Sequence, residues 1–219
     1  MRVSLIENTS PLAVVKATAM PYQSEESLAV VGRVWNSGHR SVARHGTASF
    51  MIEGVSQSLL RQLSRHPHIN LTVKSSRYCD MSEVETVVPP FISSIDRFEF
   101  NDDYEKIMSI YRKWANREVY SRGHRQELAK LMLPLGSTTD LVLSGNYQAL
   151  YEFLQLRLCV RAEWEIRELA KQLAALLIEV MPVIFEGLGC RGDELGYCPE
   201  GHGSCGMYAG KRPGMPLAG

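Results

Sequence analysis

A helical pattern extends from about residue 146 to residue 180 and is the longest regular element that the sequence predicts. Apolar residues recur there every three or four positions, along one face of an α-helix; they include Leu150, Phe153, Leu154, Leu158, Trp164, Ala170, Leu173, Leu176 and Leu177. Such a face must be buried against other parts of the chain. With 219 residues, the chain is long enough to form one domain with a single core.

The other predicted elements are several helices and few strands. Strands are expected at residues 2–6, 47–52 and 71–73, and helices at residues 24–36, 56–64, 102–115 and 125–133. Helices and strands do not alternate regularly, which favours an α+β domain over a doubly wound fold. Glycine, proline and cysteine are frequent from residue 187 onward, so this part should be irregular. We therefore expect one domain over residues 1–189 and a tail over residues 190–219.

Composition and charge exclude several classes of function. The 24 basic and 24 acidic residues leave no net charge, whereas a general nucleic-acid-binding protein carries a basic excess. The longest apolar stretch, residues 173–184, contains Glu179 and Pro182 and is too short to span a bilayer. The first residues lack the apolar segment of a secretory signal, and the cysteine count, five, is odd. We expect a cytoplasmic protein without a disulfide framework, and neither nucleic acid nor membrane among its partners.

Residues 61–78 form the most unusual segment of the sequence. Three arginines, two histidines, two adjacent serines and a tyrosine fall in this stretch. Guanidinium groups, serine hydroxyl groups and backbone N–H groups are the donors that bind a phosphate monoester. The same composition is also typical of a surface turn whose arginines are solvated. The residues alone therefore leave both interpretations open.

This segment resembles the signature of the flavin-dependent thymidylate synthases. That signature is Arg-His-Arg, followed after seven residues by serine and then by Gly-Arg-Tyr, and the matching positions here are Arg65, His66, Ser75, Arg77 and Tyr78. The chain departs from the signature at two positions. Pro67 replaces the third basic residue, and Ser76 replaces the glycine.

Further segments match the same family in the same order. Residues 38–50 resemble its Gly-His…Glu-His segment, and residues 130–135 resemble its basic residue before a Leu-Pro-Leu turn. Residues 154–167 resemble its Asn-Leu-Arg…Ala-Gln-Trp-Glu-Ile segment, and Asn146 falls at the position of a flavin-binding asparagine. Because these matches extend over most of residues 38–170, the chain is identified as a member of the family.

The resemblance implies a fold, an assembly and a set of binding residues. The fold is a single domain with a mixed sheet flanked by helices, and the assembly is a homotetramer whose active sites lie between subunits. A pyrimidine nucleotide monophosphate would be bound by Gln62, Arg65, Ser75, Ser76, Arg77, Lys130 and Arg157. FAD would be contacted by His45, Arg65, His66, Asn146 and Arg161.

The resemblance also implies a reaction. NADPH reduces FAD, methylenetetrahydrofolate donates one carbon to C5 of dUMP, and reduced flavin supplies a hydride, which gives dTMP and tetrahydrofolate. Arg157 would be the catalytic residue, since it would contact the carbonyl edge of the pyrimidine and stabilise charge that develops on the ring. The sequence contains no GxGxxG or P-loop pattern, so the flavin is not expected to bind through a Rossmann unit.

Several alternatives stay open at this point. Loss of a basic side chain at Pro67 is compatible with an enzyme that methylates UMP or hydroxymethylates a deoxypyrimidine nucleotide, and with a nucleotide-binding relative that has no activity. In a purely structural α+β module, the spacing of residues 65–77 would be a coincidence. His45 and His66 could also be structural histidines. Arg161 could form an ion pair with Glu165 along one helix face.

The C-terminal part contains a second group of potentially reactive residues. Cys190, Cys198, His202 and Cys205 lie close together in the sequence, and such a set could bind zinc as a structural metal. Their spacing differs from the usual CxxC pairs. We therefore expect reduced thiols in a glycine-rich tail, and no metal at the active site.

Overall fold

The computed structural model describes residues 1–209. Its strands are β1 (Arg2–Asn8), β2 (Thr47–Ser56), β3 (Ile69–Val73) and β4 (Thr138–Asn146). Its helices are α1 (Pro11–Ala19), α2 (Leu28–Asn36), α3 (Gln57–Leu63), α4 (Ser94–Ala115), α5 (Arg122–Ala129), α6 (Tyr147–Arg157), α7 (Trp164–Val180), α8 (Pro182–Phe185) and α9 (Arg191–Leu195). Short 3-10 helices occupy Met20–Tyr22, Arg40–His45, Lys130–Met132 and Gly201–Gly203. No helix within residues 1–209 is long and apolar enough to cross a bilayer.

The four strands form one sheet in the order β1-β2-β4-β3. The prediction of an α+β fold is confirmed, because the helices do not alternate regularly with these strands. Strand β4 is missing from the sequence prediction, although buried and half-buried residues alternate along it. Asp140 and Gly145 interrupt its run of strand-forming residues, which makes the pattern hard to recognise without the structure.

Helix α1 is also missing from the sequence prediction. Residues 7–11, with Ser10 before Pro11, have the composition of a turn. In the structure Ser10 caps the helix by accepting a hydrogen bond from the Leu12 N–H, and Pro11 is the first helical residue. Proline is favourable at that position because its missing N–H would have no partner in the helix.

The prediction of one helix over residues 146–180 is wrong. The structure has two helices, α6 and α7, separated by residues 158–163. The turn between them includes a hydrogen bond from the Ala162 N–H to the Cys159 carbonyl. No proline or glycine marks this break in the sequence, so hydrophobic spacing alone does not reveal it. Arg161 lies in the turn, and therefore it does not share a helix face with Arg157 or Glu165.

The expectation of an irregular tail is only partly correct. Helix α9 interrupts it, with the Asp193 carboxylate accepting a hydrogen bond from the Cys190 N–H at 2.6 Å. The helix ends at Gly196, whose φ of +71° is the left-handed conformation that glycine adopts without strain. Residues 210–219 of the predicted tail lie outside the described residues.

The described chain divides into two compact units. The first comprises residues 1–2, 51–65 and 71–142. Helix α4 contributes much of its core, where Tyr104, Met108 and Tyr111 pack with Met81 and Ala129. The Tyr104 hydroxyl donates to the carbonyl oxygens of residues 84 and 85, so its polar end is satisfied where the ring is buried.

The second unit comprises residues 3–50, 66–70 and the described residues from Leu143 onward. Helices α6 and α7 pack together in it and bury most of the apolar positions that the sequence pattern identifies. Tyr147, at the start of α6, is fully buried and contacts Phe185 edge-on at 5.7 Å between ring centres. Its hydroxyl donates to the carbonyl of Thr9. These contacts fix the beginning of α6.

Gly46 allows the Tyr147 ring to pack in this position. A Cβ atom at residue 46 would lie 2.2 Å from two ring carbons of Tyr147. We predict that Gly46→Ala lowers the free energy of unfolding by about 1–3 kcal/mol, because overpacking forces buried groups apart. Urea denaturation followed by circular dichroism measures this change.

Gly32→Ala is the matched control. Residue 32 lies inside α2, and a Cβ there would meet its nearest neighbour, Val183, at an ordinary 4.0 Å. Alanine favours the helix, so this variant should gain about 0.5–1 kcal/mol. Equal stability of the Gly46→Ala variant and the unchanged protein would contradict the packing described for Tyr147.

Candidate active site

His66 and Arg157 form the most specific polar contact among the predicted site residues. Arg157 Nε donates a hydrogen bond of 2.8 Å to His66 Nε2. The His66 ring also packs edge-on against Phe153, with ring centres 4.8 Å apart. Phe153 and Arg157 are four residues apart on α6, so one helix face holds the histidine through both contacts. Both residues of the pair are half-buried.

Burial and this contact together determine the protonation state of His66. Nε2 accepts a hydrogen bond, so the imidazole is neutral and carries its proton on Nδ1. Burial, and then the positive charge of Arg157, lower the pKa of His66 to about 4. Burial also lowers the pKa of Arg157, but a guanidinium group remains charged in a protein. The pair therefore presents one fixed positive charge beside a neutral ring.

Asn146 lies in a surface depression that we call the Asn146 depression; it is lined by Arg44, His68, Asn146, Gln148, Ala149 and Glu152. The Asn146 side-chain oxygen accepts from the Ala149 N–H and thereby caps α6. A hydrogen-bonded chain runs along one side, from Arg44 Nε to Gln148 at 2.7 Å and from Gln148 to Glu152 at 2.8 Å. The depression therefore combines cationic, amide and carboxylate groups.

His68 reaches this depression with an unusual backbone conformation. Its φ of +62° lies in the left-handed region, which a residue other than glycine adopts rarely and at some cost. The preceding Pro67 fixes its own φ and cannot donate a backbone hydrogen bond. The chain thus turns sharply between His66, which contacts Arg157, and His68, which lines the Asn146 depression.

Residues 75–79 form a compact turn in the first unit. The Ser75 carbonyl accepts hydrogen bonds from the N–H groups of Tyr78 and Cys79, and the Ser75 hydroxyl accepts one from the Arg77 N–H. The Arg77 guanidinium lies over the Tyr78 ring, 5.5 Å from its centre, and forms a 3.0 Å ion pair with Glu127 of α5. This ion pair orients the arginine.

Ser76 lies in a second depression, the Ser76 depression, which is lined by Gln57, Arg61, Ser76, Lys130, Leu131, Leu133 and Leu135. It brings the predicted residues Ser76 and Lys130 together and adds Arg61. A hydroxyl group and two cationic side chains around one concave surface are suited to a phosphate group.

Other predicted residues do not line either depression. Gln62 and Arg65 lie at the end of α3 and just beyond it, where the Arg65 N–H donates to the Gln62 carbonyl. His45 is the exposed last residue of a 3-10 helix, next to Arg44. Arg65 is exposed as well. The proposed roles of all three rest on the resemblance; His45 and Arg65 are also exposed, which leaves them accessible to a ligand, whereas Gln62 is half-buried.

Arg161 contacts the C-terminal segment. Its Nη1 donates to the carbonyl of Gly203 at 2.6 Å. The same segment is joined to α6 through Glu194, which accepts hydrogen bonds from Arg40 and from Gln155. The Arg40 guanidinium lies over two aromatic rings, 5.1 Å from the centre of Trp35 and 5.0 Å from the centre of Tyr151. The chain beyond α8 is therefore attached by hydrogen bonds to α6, the helix that carries Arg157.

The cysteines form no disulfide within residues 1–209, where all five are free thiols. Within the same range, no group of three or more His, Cys, Asp or Glu side chains is placed to hold a metal ion. Three of the cysteines, Cys159, Cys190 and Cys198, line a small apolar depression beside α6.

Several residues of the two depressions were not assigned to the site from the sequence. Arg44 precedes His45, and Gln148 and Glu152 are four apart on the helix that Asn146 caps. Arg61 is four residues before Arg65 on the segment that the sequence singles out. Inspection of helix neighbours would have found these residues. His68 depends on a backbone turn that no local pattern predicts.

Comparison with known proteins establishes the family of this chain. Residues 4–183 match the family described as "Thymidylate synthase complementing protein". A curated relative named flavin-dependent thymidylate synthase, from Nitratidesulfovibrio vulgaris, is 34% identical over 89% of this chain and 81% of its own length. This chain belongs to the flavin-dependent thymidylate synthase family.

Other flavin-dependent thymidylate synthases show similar agreement. The Pyrococcus furiosus protein is 36% identical over 77% of this chain and 71% of its own length. The Geobacter sulfurreducens protein is 31% identical over 95% of both chains. A crystal structure of the Helicobacter pylori enzyme ThyX, complexed with FAD and dUMP, superposes with a TM-score of 0.72. It is 28% identical and covers 86% of this chain and 100% of its own.

For this member of the flavin-dependent thymidylate synthase family, we predict that His66 titrates at about pH 4. A histidine in the unfolded chain takes up a proton below about pH 6.5. The contribution of His66 to stability is therefore complete above that pH and is lost as the pH falls towards 4. NMR titration of the ring ¹³Cε1 signal, assigned with a His66→Gln variant, measures the pKa.

Arg157→Gln is the informative second variant. It removes the positive charge beside His66, so the pKa of the histidine should rise towards its ordinary value. A His66 pKa near 6.5 in the unchanged protein would contradict the burial of His66 and its contact with Arg157.

Proposed function

We propose that this protein transfers one carbon from methylenetetrahydrofolate to C5 of dUMP and reduces it with NADPH through bound FAD. The products are dTMP, tetrahydrofolate and NADP⁺. The observation that carries the proposal is the fixed positive charge of Arg157, held by His66 on a half-buried helix end. It occurs in a chain whose structural neighbour from H. pylori is complexed with FAD and dUMP.

The residues of the Asn146 depression fit the polar parts of a flavin dinucleotide. Arg44 and His68 offer N–H donors of the kind that bind a pyrophosphate. Asn146 keeps its amide N–H donors after its oxygen has capped α6. The Glu152 carboxylate can accept hydrogen bonds from hydroxyl or amino groups. We assign His45, Arg65, His66, Asn146 and Arg161 to the same cofactor, as the resemblance implies.

Bound FAD would accept a hydride from NADPH and supply one to the transferred carbon. The task of the protein is to bind, orient and stabilise charge. Arg157 stabilises the negative charge that develops on the pyrimidine carbonyl edge. The guanidinium does not have to reorient during the reaction, because it is hydrogen-bonded to His66 and the His66 ring packs against Phe153. A neutral His66 contributes by accepting from Arg157 Nε, which orients the guanidinium group.

The nucleotide phosphate is bound by residues of the first unit. Arg61, Ser76 and Lys130 surround one depression. Arg77, oriented by Glu127, and the Ser75 hydroxyl belong to the adjacent turn. Gln62 and Arg65 complete the proposed set. Lys130 binds as a point charge, whereas the arginines offer planar pairs of donors.

The proposal includes an assembly and a location. A homotetramer with active sites between subunits is supported by large apolar side chains at the surface, among them Ile95 and Phe98 of α4, each 81% exposed. A cytoplasmic location is supported by the free thiols of the described chain. We keep the division into a domain at residues 1–189 and a tail at residues 190–219, since the family match ends at residue 183.

Mass analysis of products tests the reaction. The purified protein is incubated with FAD, NADPH, methylenetetrahydrofolate and an equimolar mixture of dUMP, UMP and dCMP. Formation of dTMP is the expected result. A hydroxymethylated nucleotide or a methylated ribonucleotide would instead identify the related activity that Pro67 leaves open, and protein with bound flavin that modifies none of the three would overturn the proposal.

Arg77 provides a separate test of the phosphate site. We predict that Arg77→Ala weakens dUMP binding about 10- to 150-fold, which corresponds to the loss of a charge-assisted hydrogen bond of about 1.5–3 kcal/mol. Flavin should remain bound, because Arg77 is assigned to the nucleotide only. Calorimetric titration with dUMP and the flavin absorbance measure the two effects.

Arg97→Ala is the control for this experiment. Arg97 is an exposed arginine of α4 that lines neither depression, so its removal lowers the net charge equally without touching the proposed site. Unchanged dUMP affinity in the Arg77→Ala variant would remove Arg77 from the nucleotide site.

A further inference from the structure

A third surface pocket, the Arg125 pocket, lies beside the turn that carries Arg77. It is lined by Tyr78, Asp80, Asn116, Arg122, Arg125 and Gln126, together with Ser82 and Ala115. All of these residues belong to the first unit. None of them belongs to the phosphate or flavin sites described above, so the pocket has no role in the function proposed so far.

Arg125 is the unusual member of this pocket. Its Nε is buried and has no hydrogen-bond partner among residues 1–209. A buried donor without a partner is unfavourable and rare in native proteins. A ligand that carries an acceptor group would satisfy this donor.

The charges of the pocket favour an anion. Arg122 and Arg125 form no ion pair with a carboxylate of the described chain. The Asp80 carboxylate is already engaged, since one of its oxygens accepts from the Ser82 N–H at 2.9 Å and from the Ser82 hydroxyl at 2.6 Å. Two guanidinium groups against one carboxylate leave a local excess of one positive charge.

The neutral residues of the pocket complete a set of donors. The side-chain oxygen of Gln126 accepts from the Tyr111 hydroxyl, which turns its amide donors to other partners. Tyr78 is 75% exposed and offers a hydroxyl group. The pocket also lies at the first turn of α5, where Arg122 is the first helical residue and the helix dipole favours negative charge.

Helix α5 connects this pocket with the proposed nucleotide site. Arg122 and Arg125 line the pocket, whereas Glu127 of the same helix pairs with Arg77. Lys130, just beyond α5, lines the Ser76 depression. A molecule that reacts with the nucleotide could therefore extend an anionic end into the Arg125 pocket.

From this arrangement we propose that the Arg125 pocket is a subsite for the anionic end of a co-substrate, with Arg122 and Arg125 as its oxyanion-binding residues. The inference rests on the proposed function for the identity of that co-substrate. Two sources share the required chemistry. They are the glutamyl carboxylates of the reduced folate and the phosphate groups of the nicotinamide nucleotide.

Direct binding tests the subsite without relying on turnover. The dissociation constants of pteroyltriglutamate, pteroylmonoglutamate, NADPH and NADH are measured by calorimetry on the flavin-loaded full chain and on its Arg122→Gln and Arg125→Gln variants. Arg117→Gln is the matched control, since Arg117 is an exposed arginine between α4 and α5 that does not line the pocket. Arg122 is exposed, so its variant keeps the test valid if the Arg125 variant fails to fold.

We expect each pocket variant to weaken one class of probe about tenfold, as the loss of a charge-assisted contact does, and Arg117→Gln to weaken none. A loss confined to the triglutamate identifies the folate tail as the occupant. A loss confined to NADPH identifies the nucleotide phosphate. Equal affinities in the pocket variants and in Arg117→Gln, or no binding of any probe, would overturn the subsite.

Failure of the subsite and failure of the proposed function give different results. A protein that makes dTMP while the pocket variants bind every probe normally has the activity without the subsite. A protein that makes no dTMP but loses triglutamate or NADPH affinity in these variants has the subsite without the activity.

Discussion

The hydrogen bond from Arg157 to His66 is the interaction on which the account of this site depends. It joins the last residue of α6 to the segment that follows α3. Burial and this contact keep the imidazole neutral, and Phe153, one turn earlier, contacts the same ring. Because Tyr147 and the Asn146 cap fix the other end of α6, the position of the guanidinium follows from the packing of the whole helix. A single buried helix therefore provides both the core contacts and the charge of the site.

Residues in the middle of α6 contact other parts of the second unit. Tyr151 packs against Arg40, and Gln155, four residues later, donates to Glu194 of α9. The C-terminal segment is thereby attached to α6 next to Arg157, and Arg161 adds a bond to the Gly203 carbonyl. In the first unit, α5 is the helix that positions the charged side chains. It orients Arg77 through Glu127 and supports the pocket around Arg125.

The family, and much of the fold, could be predicted from the sequence because they depend on local patterns. The spacing of Arg65, His66, Ser75 and Arg77 and the apolar periodicity of α6 and α7 are local patterns that a single sequence records. The break at residues 158–163 could not be predicted, because turn hydrogen bonds produce it without proline or glycine. The partners of Arg157 and Arg161 are distant in the chain, and the left-handed conformation of His68 has no signal in the local sequence. The roles of the individual site residues accordingly remain predictions.

The rate of dTMP formation in the Arg157→Gln variant tests the central claim most directly. The amide keeps hydrogen-bonding capacity but removes the positive charge proposed to stabilise the pyrimidine ring in the transition state. We expect the unchanged protein to convert dUMP to dTMP. The variant, with flavin and dUMP bound, should do so about 10²–10³ times more slowly, as for loss of one oxyanion-stabilising group. Equal single-turnover rates in the two proteins would contradict the role assigned to Arg157.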